Sequence, residues 1–182
     1  MKKLLLVLPF IALLGACTEV EEPLPEPVST PTTEVKSVKL TAQNCGLTSE
    51  DAAEPVQTSL DIEGRTEKYT FEFSTGCYVH SEYPEFVLKG SNYLKSVSTY
   101  KVDRLVIDYM SKKGITFDVK DANNTSVTSH ESTVATEYTG AKDYGAVLEY
   151  PINGTSWSLY NTFDGNAGTN IYSVTVIFEM AK

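Results

Sequence analysis

Residues 172–180 read YSVTVIFEM. Tyr172, Val174, Val176, Phe178 and Met180 fall on one face of an extended chain, and Ser173, Thr175, Ile177 and Glu179 on the other. A period of two is what a half-buried β-strand requires, because successive side chains point to opposite faces. The same alternation recurs upstream. Tyr69, Phe71 and Phe73 alternate with Lys68, Thr70 and Glu72. Leu105, Ile107 and Tyr109 alternate with Arg104, Val106 and Asp108, and Ile115, Phe117 and Val119 with Thr116, Asp118 and Lys120. Further strands are expected at 38–41, 60–63, 85–88, 146–152 and 156–160. Turn formers separate them: Lys113-Gly114, Asn123-Asn124, Asn153-Gly154 and Asp164-Gly165-Asn166. No stretch carries a sustained helical period. Eight or nine short strands with turns between them predict an all-β domain, an antiparallel β-sandwich of jelly-roll type over residues 37–182.

The order KYTFEF, EFVLKGSNYLKS, VDRLVIDYMSKKGITFDV, WSLYNTF and NIYSVTVIFE resembles the galactose-binding-like jelly rolls of secreted Bacteroidetes proteins and carbohydrate-binding modules. The resemblance covers most of residues 38–178. It implies a binding module and transfers no site residue, since fold likeness does not fix function.

The N-terminus has a different character. Lys2 and Lys3 precede an apolar run over residues 4–14, interrupted by Pro9, and small residues Gly15 and Ala16 follow. That is a secretory leader. Its apolar run is about half the roughly 20 residues that a spanning helix needs. Leu14-Gly15-Ala16-Cys17 resembles the lipobox of bacterial lipoproteins. The resemblance implies cleavage before Cys17, a diacylglyceryl group on its thiol and a membrane partnership through that lipid. A single acyl chain binds a bilayer only marginally, so the two or three chains expected on Cys17 are what make an anchor. Thr18, standing where enteric lipoproteins carry an inner-membrane retention Asp, leans toward the outer membrane. Glu19, Glu21 and Glu22 resemble the acidic export signal of some Bacteroidetes lipoproteins, which would place the protein at the cell surface. Residues 18–36, TEVEEPLPEPVSTPTTEVK, show no apolar period and are rich in Pro, Glu and Thr. They read as a disordered, semi-rigid tether.

The formal net charge is −9, and loss of the leader removes two lysines more. This excludes nucleic acid as a partner, which would require a basic face, and any polybasic attachment to anionic lipid. Besides Cys17 there are two cysteines, Cys45 and Cys77. In an oxidising compartment an even pair is expected to form a disulfide; the alternative is two separate buried thiols. The histidines, His80 and His130, stand far apart in sequence, and no catalytic or nucleotide-binding motif accompanies them. The chain therefore reads as a non-enzyme.

Asp118, Asp121, Asn123 and Asn124, with Asp164, Asn166 and Asn170, could offer oxygen ligands to a structural calcium. The same residues are what turns want, and the turn reading is preferred, so no cofactor is expected. The aromatic content is eleven Tyr and one Trp. Trp157 shares a face with Leu159 and reads as core. Tyr78, Tyr83, Tyr93, Tyr138 and Tyr144 fall outside the core alternation, in segments that look like loops. Exposed rings beside polar groups suit sugars, because the ring stacks on C–H groups while the polar groups fix hydroxyls. The expected ligand site is Tyr78, Tyr83 and Tyr144, with Glu82 and Asp143 as hydrogen-bond partners, and the expected ligand is a polysaccharide. The alternative is a structural lipoprotein with an envelope-protein partner. An exposed aromatic platform favours the first, an apolar patch or open strand edge the second.

Overall fold

The computed structural model describes residues 32–110, 114–133, 145–163 and 168–182. Its strands are β1 (Thr33–Thr41), β2 (Val56–Asp61), β3 (Lys68–Phe73), β4 (Tyr78–Val79), β5 (Phe86–Lys89), β6 (Tyr93–Ser96), β7 (Lys101–Met110), β8 (Phe117–Asp121), β9 (His130–Glu131), β10 (Gly145–Gly154), β11 (Trp157–Asn161) and β12 (Gly168–Ala181). They form two antiparallel sheets. Sheet A runs β4-β5-β12-β7-β10-β9, with β1 also on β12, and sheet B runs β2-β3-β6-β11-β8. From β5 to β8 consecutive strands cross between the sheets, and β10, β11 and β12 do the same. The resulting orders β5-β12-β7-β10 and β6-β11-β8 are the winding of a jelly roll.

The inward faces are those that the alternation marks. Tyr69, Phe71 and Phe73 from β3, Leu105, Ile107 and Tyr109 from β7, and Val174, Val176, Phe178 and Met180 from β12 meet in one core. Trp157 lies at its centre, packed edge-on against Phe71 at 6.2 Å between ring centroids. Its indole Nε1 donates to Tyr69 Oη (3.0 Å). Tyr69 Oη lies 2.9 Å from Ser96 Oγ, and Ser96 in turn donates to Ser98 O (2.8 Å). The Ser96 proton is therefore committed onward, and Tyr69 must donate to Ser96 while accepting from Trp157. Burial pushes the Tyr69 phenol above its ordinary pKa.

Several expectations give way. β1 begins at Thr33, four residues before the expected boundary of the domain at residue 37. Its first residues pair with Phe178–Ala181 of β12, from Thr33 opposite Ala181 onward, and Arg65 binds the Glu34 carboxylate and the Ala181 carbonyl. These contacts order what composition alone marks as tether. The YSVTVIFEM alternation slips at its start, where a β-bulge falls between Ile171 and Ser173. An extra residue in one strand breaks the period of two, so Ile171 takes the core position and Tyr172 is half-buried. Ile115 precedes β8 and is 51% exposed, outside the core that Phe117 and Val119 join. Tyr93, expected in a loop, lies in β6.

The disulfide expected between Cys45 and Cys77 is not formed. Both are free, buried cysteines. The Cys45 thiol lies 3.4 Å from Ala42 O, and Cys77 Sγ lies 3.7 Å from Ser74 Oγ and 3.9 Å from Tyr93 O. Burial pushes both thiols up, Cys77 to about 11. They pack as small apolar side chains, which is how protonated buried cysteines behave.

The first Asp/Asn cluster builds a turn. Asp121 Oδ1 accepts the backbone N–H groups of Asn123 and Thr125 (2.9 Å each), and Asn124 takes a positive φ of 61°. Asp118 accepts the Ser126 hydroxyl (2.7 Å). Asp164 and Asn166 lie outside the described residues, and Asn170 stands in β12.

Candidate sugar-binding face

Sheet B turns Leu94 and Leu159 into the core, each fully buried. Their neighbours Tyr93 and Tyr160 must then point to the opposite, outer face, where both are half-exposed. Register places Tyr93 and Tyr160 directly opposite each other on adjacent strands. Their ring centroids lie 6.0 Å apart with the planes tilted by 59°, within the range in which aromatic pairs attract. Two lysines flank them: Lys95 Nζ sits 5.0 Å from the Tyr93 ring centroid and Lys120 Nζ 5.4 Å from that of Tyr160.

A carboxylate fixes one side of the pair. Glu72, from β3, accepts from Tyr93 Oη (3.0 Å) and Gln57 Nε2 (2.8 Å) and pairs with Lys95 Nζ at 2.6 Å. These donors, Lys95 foremost, hold the Glu72 carboxyl below the usual carboxylate range, and Glu72 pushes Lys95 up in return. The group is ionised at neutral pH, its three donors leave one of the about four lone-pair sites of a carboxylate free, and it sets the height and direction of the Tyr93 ring. On the other side Asp118 stands opposite Tyr160. The result is an aromatic pair with hydrogen-bonding groups around it, mounted on five paired strands rather than on loops.

The residues expected to form a loop site are distributed differently. Tyr78 lies in β4 with Lys89 Nζ 4.6 Å from its ring centroid, and Lys89 is tied to Asp51 at 2.9 Å. Tyr83 is 47% exposed and packs against the His80 ring at 4.7 Å. Glu82 is exposed, and its backbone N–H donates to His80 Nδ1 (3.2 Å). Tyr78 and Tyr83 thus take separate partners. Tyr144 and Asp143, like Tyr138, lie outside the described residues. Tyr93 carries a signal in the sequence as an aromatic off the core pattern. Tyr160 is readable only as the residue next to the inward Leu159, and Glu72 and Lys95 only as solvent-side strand residues.

The second feature with unusual chemistry is Glu85, at the entry to β5. It is fully buried, and neither carboxylate oxygen has a hydrogen-bond partner. Burial raises its pKa above 4.5 and outweighs both the charge of His80 and the nearby Asn170 side chain, which acts on the carboxyl without reaching full hydrogen-bond geometry. Among the described residues no group of three His, Cys, Asp or Glu side chains could hold a metal ion. The consequence of Glu85 is for stability. A carboxyl whose folded-state pKa is raised favours folding while it is protonated, and that contribution is lost as pH rises through the folded value. Glu85→Gln, close in shape and uncharged at every pH, is expected to stabilise the protein at neutral pH, because it removes the cost of ionising a buried carboxyl. It should also flatten the fall in stability between acid and neutral pH. Urea midpoints of the two proteins across that range check this; parallel profiles would show that the carboxylate is not under strain.

No family model, curated protein or solved structure matches the chain.

Proposed function

We propose that the protein is a lipid-anchored, non-catalytic glycan-binding module, held at the outer membrane or cell surface through Cys17, and that sugar binds the outer face of sheet B. The observation that carries this reading is the Tyr93–Tyr160 pair, 6.0 Å between ring centroids and half-exposed on the face opposite the core. Two neighbouring rings on a rigid sheet offer successive stacking surfaces. Glu72, Lys95, Lys120 and Asp118 around them offer acceptors and donors for hydroxyls. The loop tyrosines Tyr78 and Tyr83 remain a second place where a ring could meet a sugar, with Tyr83 the more exposed of the two.

The test is a screen of the purified full-length chain in detergent against immobilised neutral and acidic polysaccharides. Retention by at least one polysaccharide class, reversed by the soluble form of the same glycan, is expected. Retention by none overturns the reading. The anchor is tested separately: Cys17→Ala should abolish incorporation of labelled fatty acid and leave uncleaved precursor, and normal labelling of that variant would exclude Cys17 as the lipidated residue.

A protein-interaction role draws on one observation. Among the described residues β1 pairs only with β12, and no described strand pairs along the other side of its nine residues. Open edges accept added strands. Lys36 and Lys39 lie along β1, and charge on an edge is a common device against such pairing. The aromatic face is the stronger signal.

A further inference from the structure

The outer face of sheet B carries two parallel rows. One is the aromatic row, Tyr93 opposite Tyr160 and Tyr160 opposite Asp118. The other lies two residues further along each strand and crosses the whole sheet. Gln57 is opposite Glu72, Glu72 opposite Lys95, Lys95 opposite Ser158, and Ser158 opposite Lys120. Every strand of sheet B contributes one side chain to it, and every one is polar. With strands about 4.8 Å apart, four steps make a row about 19 Å long, and a spacing of two residues sets it about 7 Å from the tyrosines.

Resting on the reading of this face as a sugar site, we infer that its ligand is an extended, uncharged glycan chain lying across the strands. Successive rings of that chain stack on Tyr93 and Tyr160, and its hydroxyls meet the row from Gln57 to Lys120. Three observations support this. First, the two tyrosines are displaced from each other across the strands, so a ligand contacting both must run in that direction. Second, the donors and acceptors form a line of that same direction rather than converging on a point, so they serve repeated units better than one sugar. Third, the face has no surplus charge: Lys95 and Lys120 balance Glu72 and Asp118, and Glu72 is already held by Lys95, Gln57 and Tyr93. On a chain of net charge −9, a polyanionic glycan would meet a repulsive field and no compensating patch.

The experiment uses oligosaccharide ladders with the full-length chain. Neutral ladders (gluco-, manno- and xylo-oligosaccharides) and polyuronate ladders are titrated by calorimetry at low and high salt. Affinity for one neutral ladder is expected to rise about tenfold or more between the disaccharide and the hexasaccharide, or about 1.4 kcal/mol, with little dependence on salt. Gln57→Ala, at the end of the row far from the tyrosines, should weaken hexasaccharide binding several-fold and disaccharide binding much less, whereas Lys120→Ala, beside the Tyr160 ring, should weaken both. A monosaccharide bound as tightly as the hexamer overturns the extended-chain geometry while leaving sugar binding intact. Polyuronate binding that collapses with salt overturns the uncharged class in the same way. Binding of none of these, nor of any glycan in the wider screen, overturns this inference together with the function it rests on.

Discussion

Trp157→Ala is expected to cost about 3–5 kcal/mol of folding stability, the range for deleting a large aromatic from a packed core. The residue is 2% exposed and sits between the sheets against Phe71. Its loss leaves a cavity bounded by β3 and β11, two strands that rigid pairings on either side prevent from closing in. It also removes the donor to Tyr69 Oη, at a buried phenol whose own proton is committed to Ser96. Two variants separate these effects. Trp157→Phe retains most of the apolar volume and loses only the N–H, so it should cost about 0.5–1.5 kcal/mol for the hydrogen bond, plus a packing term smaller than that of alanine. Chemical denaturation of the full-length chain measures both. An alanine cost below about 1 kcal/mol would mean that Trp157 is not the centre of this core.

Gly168→Ala is the second change of large effect, and its cause is space rather than backbone conformation. Gly168 opens β12 and stands opposite Lys89 of β5. A Cβ at this position would lie 2.2 Å from Val87 Cγ1 and 3.2 Å from Leu88 O. The first approach is impossible without movement, and Val87 is almost fully buried, so its side chain has little room to turn away. The expected cost is about 1–3 kcal/mol, as for other overpacked sites. It should appear as faster amide exchange along the β5–β12 ladder, the segment that carries the short β4 strand on its far side. Val87→Ala alone creates a cavity and should also destabilise. Combined with Gly168→Ala it removes the clashing methyl, so the double variant should be more stable than the sum of the single losses predicts. Strict additivity would show that the two side chains do not meet.

The fold was legible in residues whose two faces differ. In β3, Tyr69, Phe71 and Phe73 alternate with charged or hydroxyl residues, and all three are buried. In β7, Val106 and Asp108 are buried as well as the inward Leu105 and Ile107. Both faces of that central strand are covered, which alternation alone does not reveal. The bulge beside Tyr172 is invisible for a related reason: an inserted residue shifts the phase of a pattern without changing its composition. β6 carries no visible strand pattern because only four residues, Tyr93–Ser96, pair there and only Leu94 among them is buried. Too few positions remain for a period to emerge.

The candidate site was less legible, because it is made by pairing. Tyr93 and Tyr160 become neighbours only when β6 and β11 lie side by side, and the winding that does this joins strands distant in sequence. Local patterning reports which face a residue takes; it carries no information about which strand will stand next to it. Proximity to turn residues draws attention to Tyr78 and Tyr83 for the same reason, since a loop is recognisable within a short window. The cysteines illustrate the converse case. Parity and compartment favour a bridge between Cys45 and Cys77, whereas burial of both as free thiols depends on packing that no count of cysteines contains.

The most direct measurement is the affinity of the Tyr93→Ala/Tyr160→Ala double variant for the glycan that the wild-type chain retains. Both rings are half-exposed and contribute little to the core, so the variant should remain folded, with its urea midpoint near that of the wild type. If the rings are the stacking surface, each should carry the about 2 kcal/mol typical of a binding hot spot, and affinity should fall at least about a hundredfold. A folded double variant that binds the same glycan as tightly as the wild type would place the sugar elsewhere and contradict the assignment of sheet B as the binding face.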